Sequence, residues 1–334
     1  MKILTGDRPT GPLHIGHYVG SLQNRLGLQN IHNQYIMIAD QQALTDYYDK
    51  TDELHDNIYK VLASYLSVGI DPLQSTIFLQ SSIPYFAELT LYFMNLVSVA
   101  RALRNPTVKN ELIQKNKEDS VMLGFLNYPI SQAADILLLH GQGVPVGEDQ
   151  LPMIEQTNEI VRSFNFIYKT DYFKECHAML SSCKRLVGID GKNKMGKSLG
   201  NAIFLGDSEK ELYDKVMKMY TDPNHIKVTD PGSVDGNVVF SYLDIFDENK
   251  EEVAELKSFY QKGGLGDVVL KKRLFGILNS FLSPIRERYN TYYQNKSYLF
   301  DILQAGNKKV FKEARKNILE IKSIMGMMIF DEIT

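Results

Sequence analysis

Two histidines three residues apart and two lysines three residues apart are the groups in this chain whose types and spacing could do chemistry. His14 and His17 follow the turn Thr10-Gly11-Pro12, and Lys194 and Lys197 belong to Lys194-Met195-Gly196-Lys197-Ser198, between Gly191 and Gly200. Residues three apart on a helix share a face, so both imidazoles can reach one triphosphate, where their N–H donors suit charge developing on phosphorus. The lysines are compact, mobile cations on a glycine-bounded segment, suited to closing over departing pyrophosphate. The competing readings are an imidazole pair facing solvent and an ordinary solvated lysine cluster.

These groups need elements to position them. Residues 2–5 form a short apolar run suited to a buried strand, and residues 15–26 fit a helix, so a β-turn-α unit opens the chain. The helix N-terminus favours anions, and Gly16 allows a base or ribose to approach the backbone. The second motif is expected on a loop. Residues 35–39, 76–79 and 144–146 read as further buried strands, and residues 54–66 and 86–101 as helices. Gly69 before Pro72, and Pro106, mark helix ends. This alternation predicts an α/β fold with a Rossmann-type, doubly wound parallel sheet, whose ligands gather at the carboxyl ends of strands, near Thr5, Asp40, Gln80 and Gly147. After Ser198 the pattern turns helical, at residues 209–219, 251–261, 265–282 and 308–325. A catalytic domain over residues 1–200 and a helical domain over 201–334 are expected.

The chain has 334 residues, of which 44% are hydrophobic and 23% charged, enough to bury a large core in a soluble enzyme. A net charge of −3 argues against nonspecific nucleic-acid binding, though not against a local basic face. Lys271, Lys272, Arg273, Arg286 and Arg288 are either such a face or a solvated helix surface. No run approaches the length of a membrane span and the start carries no signal-peptide pattern, so a cytoplasmic protein is expected. Cys176 and Cys183 are too few for a disulfide framework or a thiolate metal site, and His177 beside one of them reads as incidental. Asp135, among Ala133, Ala134, Ile136 and Leu137, is either a costly buried carboxylate with a purpose or the polar face of an amphipathic helix.

The two motifs, in this order and so far apart, resemble the HIGH and KMSKS elements of class I aminoacyl-tRNA synthetases. Gly6-Asp7-Arg8-Pro9-Thr10-Gly11, Val68-Gly69-Ile70-Asp71-Pro72, Ala133-Ala134-Asp135-Ile136-Leu137-Leu138, Gly147-Glu148-Asp149-Gln150 and Tyr220-Thr221-Asp222-Pro223 resemble the tryptophanyl branch of that family, essentially end to end. The resemblance implies ATP-dependent activation of L-tryptophan and its transfer to tRNA(Trp). It implies that Asp135 accepts the indole N–H while Tyr128 and Gln150 hold the α-ammonium and carboxylate. Arg8, Pro9, Thr10, Gly16, His17, Gly147, Glu148, Asp149, Leu186, Lys194, Met195, Gly196, Lys197 and Ser198 are the implied ATP contacts, and His14, His17, Lys194 and Lys197 the catalytic set. Mg²⁺ is expected on the ATP phosphates without a protein cage, and Lys109 is a weaker candidate for the triphosphate. A homodimer is implied, with the helical region binding the anticodon.

An indole has one donor and a large apolar body, so a single acceptor in an apolar wall suits it. Three positions depart from the family pattern: Gly196 where serine is usual, Gln132 where methionine is frequent and Gln42 where histidine is frequent. A tyrosyl-tRNA synthetase, a noncatalytic regulatory paralogue and a small-molecule nucleotidylyltransferase are the other readings. The first would need a pocket that satisfies a phenol hydroxyl.

Overall fold

Ile3 and Leu4 on β1 (Lys2–Asp7) and Tyr35 to Ile38 on β2 (Asn33–Ile38) are all buried, which requires cover on both faces of the strands. Side chains alternate across a strand, so Tyr35 and Met37 join one apolar cluster while Ile36 and Ile38 join another. The computed structural model, which describes residues 1–114, 121–180, 186–193 and 195–328, places these two strands in a sheet with β3 (Ser75–Leu79), β4 (Gly143–Val146) and β5 (His177–Leu180). All pairings are parallel and the order is β3-β2-β1-β4-β5, a doubly wound arrangement as expected.

The expected helix over residues 86–101 is two helices, Tyr85–Met94 and Val99–Leu103. The second has its own start signal, for Ser98 Oγ accepts the Arg101 backbone N–H at 3.2 Å. The opening helix runs over residues 15–28 in three pieces, with a π segment at Tyr18–Leu22. Later helices are Glu209–Met217, Val238–Phe246, Lys250–Lys262, Asp267–Gln294 and Lys296–Ile324. Along Asp267–Gln294 the buried residues Leu270, Leu274, Leu278, Leu282, Ile285 and Tyr289 form one stripe, and the helix continues through Pro284. The core is continuous across residue 200, since one cluster holds Leu13, Ile15, Ile36 and Ile38 together with Leu212, Leu243 and Leu274.

Lys296–Ile324 returns to the sheet and covers β3 at its edge. A Cβ on Gly306 would stand 1.8 Å from the Ile77 carbonyl oxygen, so only glycine permits this approach. Asn307 Oδ1 accepts the Leu79 N–H at 2.8 Å, and Lys309 Nζ donates to Thr76 Oγ1 at 2.8 Å.

Four of the five basic residues of the candidate nucleic-acid face have partners within the fold. Arg273 pairs with Asp247 and Glu252, Arg286 donates to the Asp207 and Asn279 oxygens, Arg288 to the Ser67 carbonyl and Lys271 to the Met217 carbonyl. Among the described residues, no helix is long and apolar enough to cross a membrane.

Candidate active site

Strand order reverses at the centre of the sheet, between β1 and β4, and ligands of such sheets collect above that point. The only register pair joining these strands is Ile3 with Gly143, and Pro145 further along β4 has no N–H to give. Gly6-Asp7-Arg8 at the end of β1 and Gly147 just past β4 lie at the carboxyl ends of these two strands.

The two distant motifs meet there. Residues 13–15 pair antiparallel with residues 203–205: the Ile15 N–H donates to the Ile203 carbonyl at 3.0 Å, and the Leu205 N–H to the Leu13 carbonyl at 3.0 Å. This contact partly closes the helix N-terminus that the sequence presents as open. It also draws the segment after the lysine motif onto the histidine turn. Gly11 lies at φ +132°, and a Cβ there would be 3.2 Å from Lys197 Nζ; one on Gly16 would be 3.3 Å from the Met195 sulfur. Both glycines therefore leave room for the side chains of the second motif.

The His14 and His17 ring centroids lie 3.8 Å apart, with the rings tilted by 41°. The His14 backbone N–H donates to His17 Nδ1 at 3.2 Å, which sets Nε2 as the protonated nitrogen of a neutral His17 ring.

Lys197 stands in a single turn of 3₁₀ helix, Lys197–Leu199, rather than in the irregular loop expected, with Gly200 at φ +63° ending the turn. The backbone of Ser198 lies in this turn, whereas Lys194 and Cys183 lie outside the described residues. Asn201 holds the base of the motif, its Oδ1 accepting the Gly196 N–H at 2.8 Å and its Nδ2 donating to Asp190 at 3.1 Å. Gly196 is extended, at φ −154°, a conformation open to any residue. Burial pushes the Lys197 ammonium down to about 8, against the pull of Asp7 and with the repulsion of Lys60.

Asp7 anchors the floor of this region. Its Oδ2 accepts from Arg25 at 2.7 Å and from the Tyr65 hydroxyl at 2.7 Å. Burial raises the carboxyl, yet the charges of Arg25 and His17 and these hydrogen bonds together hold it down at about 2.

Asp135 is 2% exposed on the Leu123–Leu138 helix, so the buried reading of this carboxylate holds and the solvent-facing one does not. Burial pushes it up to about 7, opposed by hydrogen bonds from Gln80 and Gln42. Gln80 Nε2 lies 2.9 and 3.0 Å from the two Asp135 oxygens, and Gln80 Oε1 accepts the Gln42 backbone N–H at 3.1 Å. The Gln42 side chain donates to Ser131 Oγ at 2.9 Å, one turn before Asp135. From the sequence alone Gln80 is a lone amide after the apolar run at 76–79, at the carboxyl end of a strand, and only folding brings Asp135 to it.

The remaining candidates flank these two centres. Arg8 is exposed and within 3.5 Å of Thr45 Oγ1; Pro9 is buried, and the Thr10 N–H donates to the Arg8 carbonyl at 2.8 Å. Glu148, Asp149 and Gln150 form a 3₁₀ turn leading into the Leu151–Tyr168 helix, and the Asp149 carbonyl accepts from Thr107 Oγ1 at 2.8 Å. Tyr128 packs edge-on to Phe125 with its hydroxyl 3.4 Å from Glu111. Leu186 is buried, Gln132 half-buried, and Lys109 exposed on the Pro106–Gln114 helix.

Residues 1–283 match the family described as tRNA synthetases class I (W and Y). A tryptophan–tRNA ligase of Lactococcus lactis is 53% identical over 335 residues, covering 98% of each chain. That of Clostridium longisporum is 52% identical over 99% of this chain and 98% of its own. The crystal structure of a tryptophanyl-tRNA synthetase from Campylobacter jejuni, complexed with ADP and tryptophan, superposes with a TM-score of 0.85 at 31% identity, covering 98% of this chain and all of the other. With a reversed parallel sheet, a histidine turn in contact with a lysine motif and these relatives, the chain belongs to the class I tRNA synthetases of the tryptophan and tyrosine type.

Proposed function

We infer that this chain is a tryptophan–tRNA ligase, which joins L-tryptophan to ATP as an adenylate, releases pyrophosphate and esterifies the terminal ribose of tRNA(Trp). The observation that carries the amino-acid choice is Asp135, a buried acceptor on an apolar helix with hydrogen-bonded support, which suits a ligand with one ring N–H. The close relatives named above point the same way.

The first step is an in-line attack of the amino-acid carboxylate on the α-phosphorus. The residues of this chain contribute position and charge, with no covalent enzyme intermediate. His14 and His17 donate to the phosphates, Lys194 and Lys197 neutralise the leaving pyrophosphate, and Gly16 lets the nucleotide lie against the backbone. Arg8, Pro9, Thr10, Gly147, Glu148, Asp149, Leu186, Met195, Gly196 and Ser198 complete the ATP pocket in this reading, and Tyr128 and Gln150 hold the α-ammonium and carboxylate. Mg²⁺ travels with the phosphates, whose hard oxygens are its natural ligands. The helices beyond residue 200 take the anticodon as part of a cytoplasmic homodimer.

ATP–pyrophosphate exchange across all amino acids tests the reading. Tryptophan is expected to support exchange and tyrosine at least about a hundredfold less, since a site built around one polar group can reject a ligand lacking its match by ~10⁴. Equal rates with tyrosine would overturn the assignment, and no exchange with any amino acid would favour a regulatory paralogue.

A further inference from the structure

A buried carboxylate can serve as a hydrogen-bond acceptor for a substrate only if something fixes its orientation and keeps it from turning to other partners. Gln80 is built for that task around Asp135. Its amide is held from both ends: Oε1 accepts the Gln42 backbone N–H at 3.1 Å, so Nε2 must point the other way, where both Asp135 oxygens lie at 2.9 and 3.0 Å. Gln80 is 1% exposed and cannot exchange these partners for water. It occupies one acceptor position on each oxygen, and a carboxylate has about four, so lone pairs remain for a ligand.

The Gln42 side chain ties the same arrangement to the helix that bears Asp135, donating to Ser131 Oγ at 2.9 Å. Gln42 thus links the Asp40–Tyr47 helix, the end of β3 and the Leu123–Leu138 helix through one residue. Its difference from the family's frequent histidine has a structural use here, because a primary amide reaches Ser131 while its backbone orients Gln80.

We propose that Gln80 is a positioning residue for tryptophan specificity, fixing the Asp135 carboxylate so that it selects a ring N–H. This rests on the reading of Asp135 as the indole acceptor. The probe is β-(3-benzothienyl)alanine, in which sulfur replaces the indole N–H, and the readout is the ratio of kcat/KM for tryptophan to that for the analogue in pyrophosphate exchange. Gln80→Met keeps the side-chain length and removes the donor. It is expected to lower the ratio about tenfold or more, through the KM for tryptophan, with the KM for ATP unchanged.

Gln80→Glu, assayed at pH 8, is a second variant of native shape that opposes Asp135 with like charge, and it is expected to lower the ratio at least as far. A purely structural role would reduce kcat or thermal stability and leave the ratio intact; an intact ratio in whichever variant folds overturns the proposal. Asp135→Asn separates the two levels. If it collapses the ratio while the Gln80 variants do not, only the role of Gln80 fails; if it too leaves the ratio unchanged, the indole reading of Asp135 fails with it.

Discussion

Lys197 lies against Gly11, so that a methyl group added to Gly11 would stand 3.2 Å from the lysine nitrogen. Residues 186 positions apart in the chain thus share one small volume, with Asp7 near enough to act on the Lys197 charge.

Removing the ammonium should cost catalysis and spare substrate binding. Lys197→Ala is expected to slow activation by about two to three orders of magnitude with little change in tryptophan KM, as for a charge that acts mainly on the transition state. A full rate in that variant would exclude the assignment. Gly196→Ser, allowed by the extended backbone there, should be neutral or faster.

The same lysine predicts a pH limb. Its folded value of about 8 means that it is charged below that pH and neutral above it. The charge available to pyrophosphate is therefore lost as pH rises through about 8, and kcat/KM for ATP, which reports the free enzyme, should fall there. Lys197→Arg stays charged throughout and should abolish this limb, whatever it does to the rate. A limb that persists unchanged in the arginine variant belongs to another group.

Asp135 couples the pocket to stability. Its carboxyl titrates near 7 in the fold against an ordinary 3.8, so between those values the folded chain holds a proton that the unfolded chain has lost. The stability it contributes is complete below about pH 4 and is lost as pH rises through about 7. Asp135→Asn should therefore gain thermal stability relative to the parent chain as pH is raised from 5 to 8. In the same variant tryptophan use should weaken by roughly 1.5–3 kcal/mol while ATP binding survives. A melting difference independent of pH would contradict the raised value.

The chain contains no tryptophan, although it has 19 tyrosines and 16 phenylalanines. Excited at the red edge, only added tryptophan should emit, and burial beside the apolar Leu123–Leu138 helix should blue-shift it. A saturable shift is expected, diminished by Asp135→Asn and indifferent to Lys197→Ala. A linear, unsaturable response would count against the pocket.

Much of the site was legible because its signals are local. Apolar runs before Asp7, Ala39, Gln80 and Gly147 mark strands of one parallel sheet, and Gly11 and Gly16 on either side of His14 mark close approaches. What stayed hidden depends on distant partners. Strand β5 is only His177–Leu180, four residues with both ends exposed, and it forms because β4 offers it an edge. Arg273 and Arg286 look like a surface cluster until Asp247, Glu252 and Asp207 are brought to them by folding. The role of Gln80 is invisible for the same reason, since Gln42 and Asp135 come from two other elements.

Docking of the last helix on β3 has a consequence for how the chain is made. Leu79 and its partner Asn307 are 228 residues apart, so on a ribosome the outer edge of β3 waits roughly ten to fifty seconds for its cover. An uncovered parallel edge is a template for pairing with another chain. Nascent chains stalled before residue 296 are expected to associate with one another and those stalled after the last helix emerges are not, which sedimentation of stalled complexes can measure. The order in which this protein is synthesised thus leaves the outer edge of β3 open for most of its birth.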